Sequence, residues 1–146
     1  MKPYDQLPAA EKLRWLEHVL DQVEDAILLA DDAGRIVYVN RGWVEMTGHA
    51  FEEAVGHTTA ELLGHDHHPP EFWAGMRAQL ERGEPWAGRV VSRRRDGELF
   101  AQWVTVLPAT GPDLTGARYV SVRRDISAAE RREADLAASE ARYALA

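Results

Sequence analysis

The sequence has 146 residues, of which 45% are hydrophobic and 28% are charged, so it contains enough apolar residues for one folded domain with helical extensions. Its 17 basic and 24 acidic side chains give a formal net charge of −7, and the basic residues are mostly interleaved with acids, which argues against nucleic acid as a partner. The absence of cysteine excludes disulfides, thiolate metal ligands and cysteine nucleophiles.

The hydrophobic residues are dispersed along the chain. No stretch approaches the roughly 18 to 20 consecutive apolar residues that span a membrane, and the N-terminus lacks an apolar signal core. We therefore expect a cytoplasmic protein without membrane insertion.

The first segment, residues 1–24, is predicted to form an amphipathic helix. Leu13, Leu16, Leu20 and Val23 recur at spacings of three and four with charged residues between them. Two interpretations stay open: the helix packs on its own domain, or it forms a dimer with a second copy.

A hairpin and several short helices follow. Ala26–Ala30 and Ile36–Val39 are apolar runs on either side of a turn that ends in Gly34, which is typical of two antiparallel strands. Glycines at 48, 56 and 64 then end three short helical segments. A longer helix begins at Pro69-Pro70 and carries an apolar stripe of Phe72, Trp73, Met76 and Leu80.

The second half of the chain predicts three more strands, at Trp86–Arg93, Leu99–Leu107 and Arg118–Arg124, with a loop rich in Gly, Pro and Thr before the last. Together with the hairpin they give an α+β fold with a five-stranded antiparallel sheet. Trp103 is predicted to pack in the core. Residues 128–146 form a C-terminal helix, and Ser127 with Glu130 predicts a capping box at its start.

These elements, in this order, resemble the PAS fold. The landmarks are Asp31-x-x-Gly34-x-Ile36, Asn40, Thr47-Gly48 with Glu52-Glu53-x-x-Gly56, Gly83-x-x-Trp86-x-Gly88, Arg93 to Gly97, and Asp125-Ile126-Ser127. The resemblance places the domain core at residues 25–127, between the flanking helices.

The resemblance implies a sensory module that detects a ligand, a redox state or light, or that mediates dimerisation. It assigns signal relay to Asp125, Ile126 and Ser127, which pass a change into the C-terminal helix and on to a downstream effector of histidine kinase or cyclase type. Catalysis would lie in a domain outside this chain. A homodimer through the flanking helices is expected, and residues 139–143 resemble the start of a further domain.

Two flavin-binding subgroups provide more specific comparisons. The segment Gly56 to Gly64 resembles the light-sensing members, with Thr59 at the position of their photoreactive cysteine, so cysteine-adduct photochemistry is excluded. Members that bind FAD as a redox sensor share the Trp86-x-Gly88 neighbourhood. Arg77 and Ser92 replace two of their flavin-contacting residues, so FAD is one alternative and the cofactor is unassigned.

Strand alternation predicts which side chains face a pocket. Ser92, Gln102, Val104 and Arg123 fall on the inner face of the sheet, and with Arg77 they could hold a polar or anionic ligand. The alternative for each arginine is a surface side chain with a packed stem. The candidate ligand-binding residues are Trp73, Met76, Arg77, Ser92, Gln102, Val104 and Arg123, although core packing also explains Trp73 and Met76.

The most obvious histidine cluster is His65, His67 and His68. Imidazole ligates metals and haem, but these residues precede Pro69-Pro70 in a loop, so we interpret them as a solvated polar loop and expect neither metal nor haem. The Asp31-Asp32 pair lies in a turn where solvated carboxylates suffice, so no catalytic residues are assigned.

Overall fold

The computed structural model describes residues 2–109 and 118–144. The helices are α1 (Ala9–Gln22), α2 (Arg41–Thr47), α3 (Phe51–Ala54), α4 (Thr59–Leu63), α5 (Pro70–Glu81) and α6 (Ser127–Ala144), and a short 3-10 turn at Tyr4–Gln6 precedes them. The strands are β1 (Ala26–Ala30), β2 (Ile36–Val39), β3 (Trp86–Arg93), β4 (Leu99–Pro108) and β5 (Tyr119–Asp125). The predicted Gly-, Pro- and Thr-rich loop between β4 and β5 falls mostly on residues 110–117, which lie outside the described residues.

The five strands form one antiparallel sheet in the order β2-β1-β5-β4-β3. The α+β class and the five-stranded antiparallel sheet are therefore confirmed. The last strand in sequence, β5, lies at the centre of the sheet, and β4 leads from it to the edge strand β3. Because β5 is hydrogen-bonded to β1 on one side and to β4 on the other, a displacement of β5 would affect both halves of the sheet.

The helices cover the sheet in two groups, and each group has its own apolar cluster. One cluster joins β1 and β2 to the short helices through residues such as Leu28, Trp43 and Leu63. The other joins β3 and β4 to α5 through Val90, Val104 and the partly buried Trp73. The candidate ligand-binding site lies between these two apolar clusters.

Asn40 links three elements at the start of α2. Its Oδ1 accepts hydrogen bonds from Trp43 N at 3.0 Å and Ile27 N at 2.8 Å, while its Nδ2 donates to Leu20 O at 2.8 Å and Asp25 O at 3.1 Å. The side chain therefore caps α2 and also ties the end of α1 to β1.

Helix α1 buries none of its residues. Leu13 is 58% exposed, Leu16 is 48% exposed and Val19 is 51% exposed, whereas Leu20 is partly buried beside Asn40. Packing on its own domain therefore explains the position of Leu20 but not the other apolar residues of the stripe, which stay exposed.

The prediction for Trp103 is wrong. Its side chain is 48% exposed, because its neighbours in the strand, Gln102 and Val104, both point inwards and successive side chains alternate across a sheet. Trp103 therefore lies on the outer face of the sheet.

Candidate functional site

A cavity of about 1010 Å³ lies between the inner face of the sheet and helices α4 and α5. Apolar side chains from both core clusters form most of its walls, including Leu28, Leu63 and Val106. Such a cavity is of the size that holds small organic ligands in proteins. Six of the seven candidate ligand-binding residues line it: Trp73, Met76, Arg77, Ser92, Val104 and Arg123.

Arg123 is the most deeply buried charge at the cavity. The residue is 7% exposed, and its Nε donates to Ser121 Oγ at 3.3 Å. Burial lowers the pKa of Arg123 to about 10, so the guanidinium still carries its charge at neutral pH. Ser121 was missing from the predicted set, although its position two residues before Arg123 places it on the same face.

Gln102, the seventh candidate, is not among the residues that line the cavity. It is fully buried, and neither Nε2 nor Oε1 has a hydrogen-bond partner among the described residues. An unpaired buried amide is costly, so this side chain marks a place where a bound group or a water would be stabilising.

Four polar residues cross the inner face of the sheet diagonally. Strand register places Arg123 opposite Val104 and Gln102 opposite Asp125 and Val90, so Gln102 is one diagonal step from Arg123 and Ser92 is one diagonal step from Gln102, while Ser121 lies two residues before Arg123 on β5 itself. We call this set the polar diagonal; in order across β5, β4 and β3 it consists of Ser121, Arg123, Gln102 and Ser92.

The three candidates on α5 differ in exposure. Trp73 and Met76 are partly buried, and Trp73 Nε1 donates to His65 O at 2.8 Å. Arg77 is exposed, so it contributes to the rim of the cavity rather than to its interior. Thr59, at the position of the photoreactive cysteine in light-sensing relatives, is partly buried and also lines the cavity.

The interpretation of the histidines as a solvated loop is wrong for His68. Its ring stacks on Phe72 with centroids 4.2 Å apart, and its Nε2 accepts a hydrogen bond from Val91 N at 2.9 Å. Burial lowers the pKa of His68, with further contributions from His67 and Arg89. A neutral His68 therefore satisfies a backbone N–H on the edge strand β3, while His65 and His67 are exposed.

The end of β5 is joined to the rest of the domain by Asp125. Its Oδ2 accepts from Arg94 Nη2 at 2.7 Å, and its Oδ1 accepts from Ser127 N at 2.9 Å. Arg94 Nη1 also donates to Met46 O at 2.6 Å, so one guanidinium connects α2 to the start of α6. Burial alone would raise the pKa of Asp125, but these hydrogen bonds outweigh it and lower the pKa.

The predicted capping box of Ser127 and Glu130 is wrong. Ser127 Oγ accepts from Ala101 N at 2.8 Å on β4, and Glu130 N donates to Ile126 O. The Glu130 side chain instead pairs with Arg89 of β3, at 2.7 Å and 2.8 Å. Both side chains therefore attach α6 to the sheet, and Asp125 takes the capping role.

Arg94 had no predicted role in relay, although its contacts make it central to this junction. Its position in the β3–β4 turn is visible in the sequence, but nothing in the sequence pairs it with Asp125, 31 residues away. Ile126, the middle residue of the predicted relay, is partly buried and its N donates to Ala101 O at 3.0 Å.

Within residues 2–109 and 118–144, no group of three or more His, Asp or Glu side chains is placed to hold a metal ion. Over the same residues, no helix has the length and apolar character needed to cross a membrane.

Comparison with known proteins identifies the class. A family model described as "PAS fold" matches residues 20–131, which is well over half of the sequence. The chain therefore belongs to the PAS fold family, a family of sensory domains.

Individual relatives agree with this assignment. A nitrogen fixation regulatory protein of Klebsiella oxytoca is 28% identical over 109 residues, which cover 75% of this chain and 22% of that protein. The chain thus spans about a fifth of this relative's length. The PAS domain of a protein from Colwellia psychrerythraea superposes with a TM-score of 0.69 at 23% identity, covering 79% of this chain and 97% of the other. An RNA-binding light-oxygen-voltage receptor gives a TM-score of 0.76 at 19% identity, covering 97% and 40%.

Proposed function

We propose that this domain senses a small molecule in the cavity and relays its presence through Asp125, Ile126 and Ser127 to helix α6. A downstream effector domain of kinase or cyclase type would receive the signal and carry out any catalysis. The domain would act in the cytoplasm, as part of a longer signalling protein.

One observation carries the proposal: a single strand joins the cavity to the exit helix. Arg123 lines the cavity, and Asp125 lies two residues further along β5, where it binds Arg94 and Ser127. A shift of β5 caused by a ligand would therefore reach the first turn of α6 within two residues. Coupling of this kind needs only about 1 to 3 kcal/mol.

The contacts of α6 explain how a shift of β5 could alter the position of this helix. Apart from Ser127 and the Arg89–Glu130 pair, the helix is largely exposed, and none of its residues is buried. Its attachment thus depends on a few polar contacts at its first turn. Altering those contacts changes the direction or the order of the helix without requiring a new packed interface.

A cavity-filling substitution tests the relay without knowledge of the ligand. Met76→Trp places a large side chain in the cavity, and we expect amide hydrogen exchange of residues 127–144 to change by about fivefold or more, the lower end of ordinary coupling. Ala78→Trp is the matched control, because Ala78 is exposed on α5 and does not line the cavity. Unchanged exchange in α6 of a folded Met76→Trp protein would contradict the relay.

Flavin is the second candidate occupant, and the unpaired amide of Gln102 favours it. An amide with an unpaired hydrogen-bond donor and an unpaired acceptor suits the flavin ring, which itself carries an acceptor and a donor at its polar edge. Gln102 would have to turn towards the cavity, since it is not among the lining residues, and Ser92 and Arg77 offer different groups from those of flavin-binding relatives. Visible absorption after incubation with FAD tests this candidate; a colourless protein after desalting would exclude it.

A further inference from the structure

The polar diagonal contains one charge and no described counter-charge. Among residues 2–109 and 118–144, the guanidinium of Arg123 forms no ion pair with a carboxylate, and its only hydrogen bond is the one from Nε to Ser121 Oγ at 3.3 Å. A guanidinium has five N–H donors, so four of them lack a partner in the described part of the chain. The two Nη atoms are not among the fully enclosed unpaired polar atoms, so they face accessible space in the cavity, and an anion there would offset the cost of removing the guanidinium from bulk water.

The carboxylates at the cavity do not change this picture. Asp32, Asp66 and Glu81 line it, but all three residues are exposed and lie at the rim. The protein also has a net charge of −7, so its surface does not attract anions in general. A preference for an anion would therefore come from the cations that line the cavity, Arg123 in its interior and Arg77 at its exposed rim.

The side chains of the polar diagonal limit the charge and the shape of the anion. Arg123 is the one charged group in the interior among the described residues, because Arg77 is exposed at the rim, so the interior balances one negative charge; the planar fork of the Arg123 guanidinium matches the two oxygens of a carboxylate. The other partners on the polar diagonal are neutral: Ser121 beside Arg123, and Gln102 one diagonal step away. The walls are apolar and the cavity is far larger than a bare carboxylate, so the rest of the ligand is an apolar organic body.

We propose that the ligand is a small organic monocarboxylate whose carboxylate binds Arg123 and Ser121 and whose apolar body lies between α5 and the sheet. This assignment rests on the proposed sensory function, because it names the class of molecule that the cavity would sense.

A substitution tests the unpaired charge independently of any ligand. Arg123→Met keeps an unbranched side chain and removes the buried cation, so we expect the ligand-free protein to melt at a higher temperature than the wild type. Arg124→Met is the control: Arg124 is the next residue in β5, and its side chain is 71% exposed on the opposite face, where it pairs with Asp25 at 3.4 Å; because an exposed ion pair contributes little, its removal should change the melting temperature only slightly. A lower melting temperature for Arg123→Met alone would show that Arg123 is a structural residue and would overturn the proposal.

Binding is tested with three carboxylates and their isosteric amides: butyrate, octanoate and phenylacetate against butyramide, octanamide and phenylacetamide. We expect at least one carboxylate to raise the melting temperature of the wild type, its amide to have no effect, and Arg123→Met to bind that carboxylate about tenfold or more weakly by calorimetry. Equal effects of acid and amide, no effect of any carboxylate, or unchanged binding to Arg123→Met would each overturn the assignment.

The two proposals can fail separately. An amide that binds and alters hydrogen exchange in α6 would leave the sensory function standing and remove the carboxylate assignment. A carboxylate that binds through Arg123 without altering exchange in α6 would do the reverse. Phenyl phosphate distinguishes anion classes: tighter binding of this dianion than of phenylacetate would also contradict the assignment to a monocarboxylate.

Discussion

Single residues determine how closely α2 approaches the connection between α1 and β1. Gly42 is buried in the first turn of α2, and a Cβ at this position would meet three backbone carbonyls, those of Val23, Glu24 and Asp25. Backbone carbonyls cannot swing aside as a flexible side chain can. Glycine is therefore required here by space, because no positive φ is involved.

Gly42→Ala should accordingly destabilise the protein, by about 1 to 3 kcal/mol, since the added methyl forces backbone apart. Gly75→Ala is a matched control in α5, where a Cβ meets nothing within 4 Å, and it should stabilise the protein by about 0.5 to 1 kcal/mol. Urea unfolding at neutral pH measures both. Equal effects of the two substitutions would contradict the close approach at Gly42.

At the scale of elements, the start of α6 is held by a small polar junction that involves α2, β4 and β5. Asp125 accepts from Arg94 and Ser127, and Arg94 also lies over the ring of Phe100 with its Cζ 4.1 Å from the ring centroid. The Asp125 carboxylate is thus the common acceptor of the junction, and its charge state should control how firmly α6 is attached.

This dependence gives a prediction with a definite sign. The pKa of Asp125 is lower in the folded protein than in the unfolded chain, where it is about 3.9. The carboxylate therefore contributes stability above the unfolded value, and the contribution is lost as the pH falls through the folded pKa. We expect Asp125→Asn to be less stable than the wild type at pH 7 and the difference to shrink below about pH 4.

Urea midpoints between about pH 3 and pH 7 measure the effect. Asp135→Asn serves as control, because Asp135 is exposed on the same helix and its substitution should leave the pH profile unchanged. A constant difference between wild type and Asp125→Asn across this range would contradict a role for the carboxylate charge.

At the scale of the whole molecule, the exposed stripe of α1 suggests a second copy as its partner. Leu13, Leu16 and Val19 are each about half exposed, and α6 likewise buries none of its side chains, with Leu136 61% exposed. Both flanking helices therefore leave apolar surface available, which is the requirement for a homodimer formed along them.

Leu16→Glu should weaken such a dimer about tenfold or more, because it places a charge in the centre of the stripe. His18→Glu adds the same charge on the opposite side of α1 and should leave the association unchanged. Light scattering across a concentration series measures both proteins. A wild type that stays monomeric at high concentration would contradict the dimer, and so would equal weakening by the two substitutions.

Sequence patterns predicted much of the fold because the interactions behind them are local. The 3.6-residue and two-residue periodicities and the glycines after the short helices each depend on neighbours close in the chain. The inner face of the sheet followed from alternation alone, which correctly placed Ser92, Gln102 and Arg123 inwards. The same rule applied strictly would have placed Trp103 outwards and would have added Ser121 to the site.

The amino-acid sequence by itself therefore determined the class of fold, the order of its elements and three of the polar residues on the inner face of the sheet, Ser92, Gln102 and Arg123. Only the tertiary structure decided which hydrogen-bond and ion-pair partners the polar side chains have. It showed that His68 binds Val91, that Arg94 binds Asp125 and that Glu130 binds Arg89. It also showed that Arg123 has no ion-pair partner among the described residues. The physical reason is that hydrogen bonds and ion pairs act over a few ångströms, while these partners are separated by 23, 31 and 41 residues of sequence.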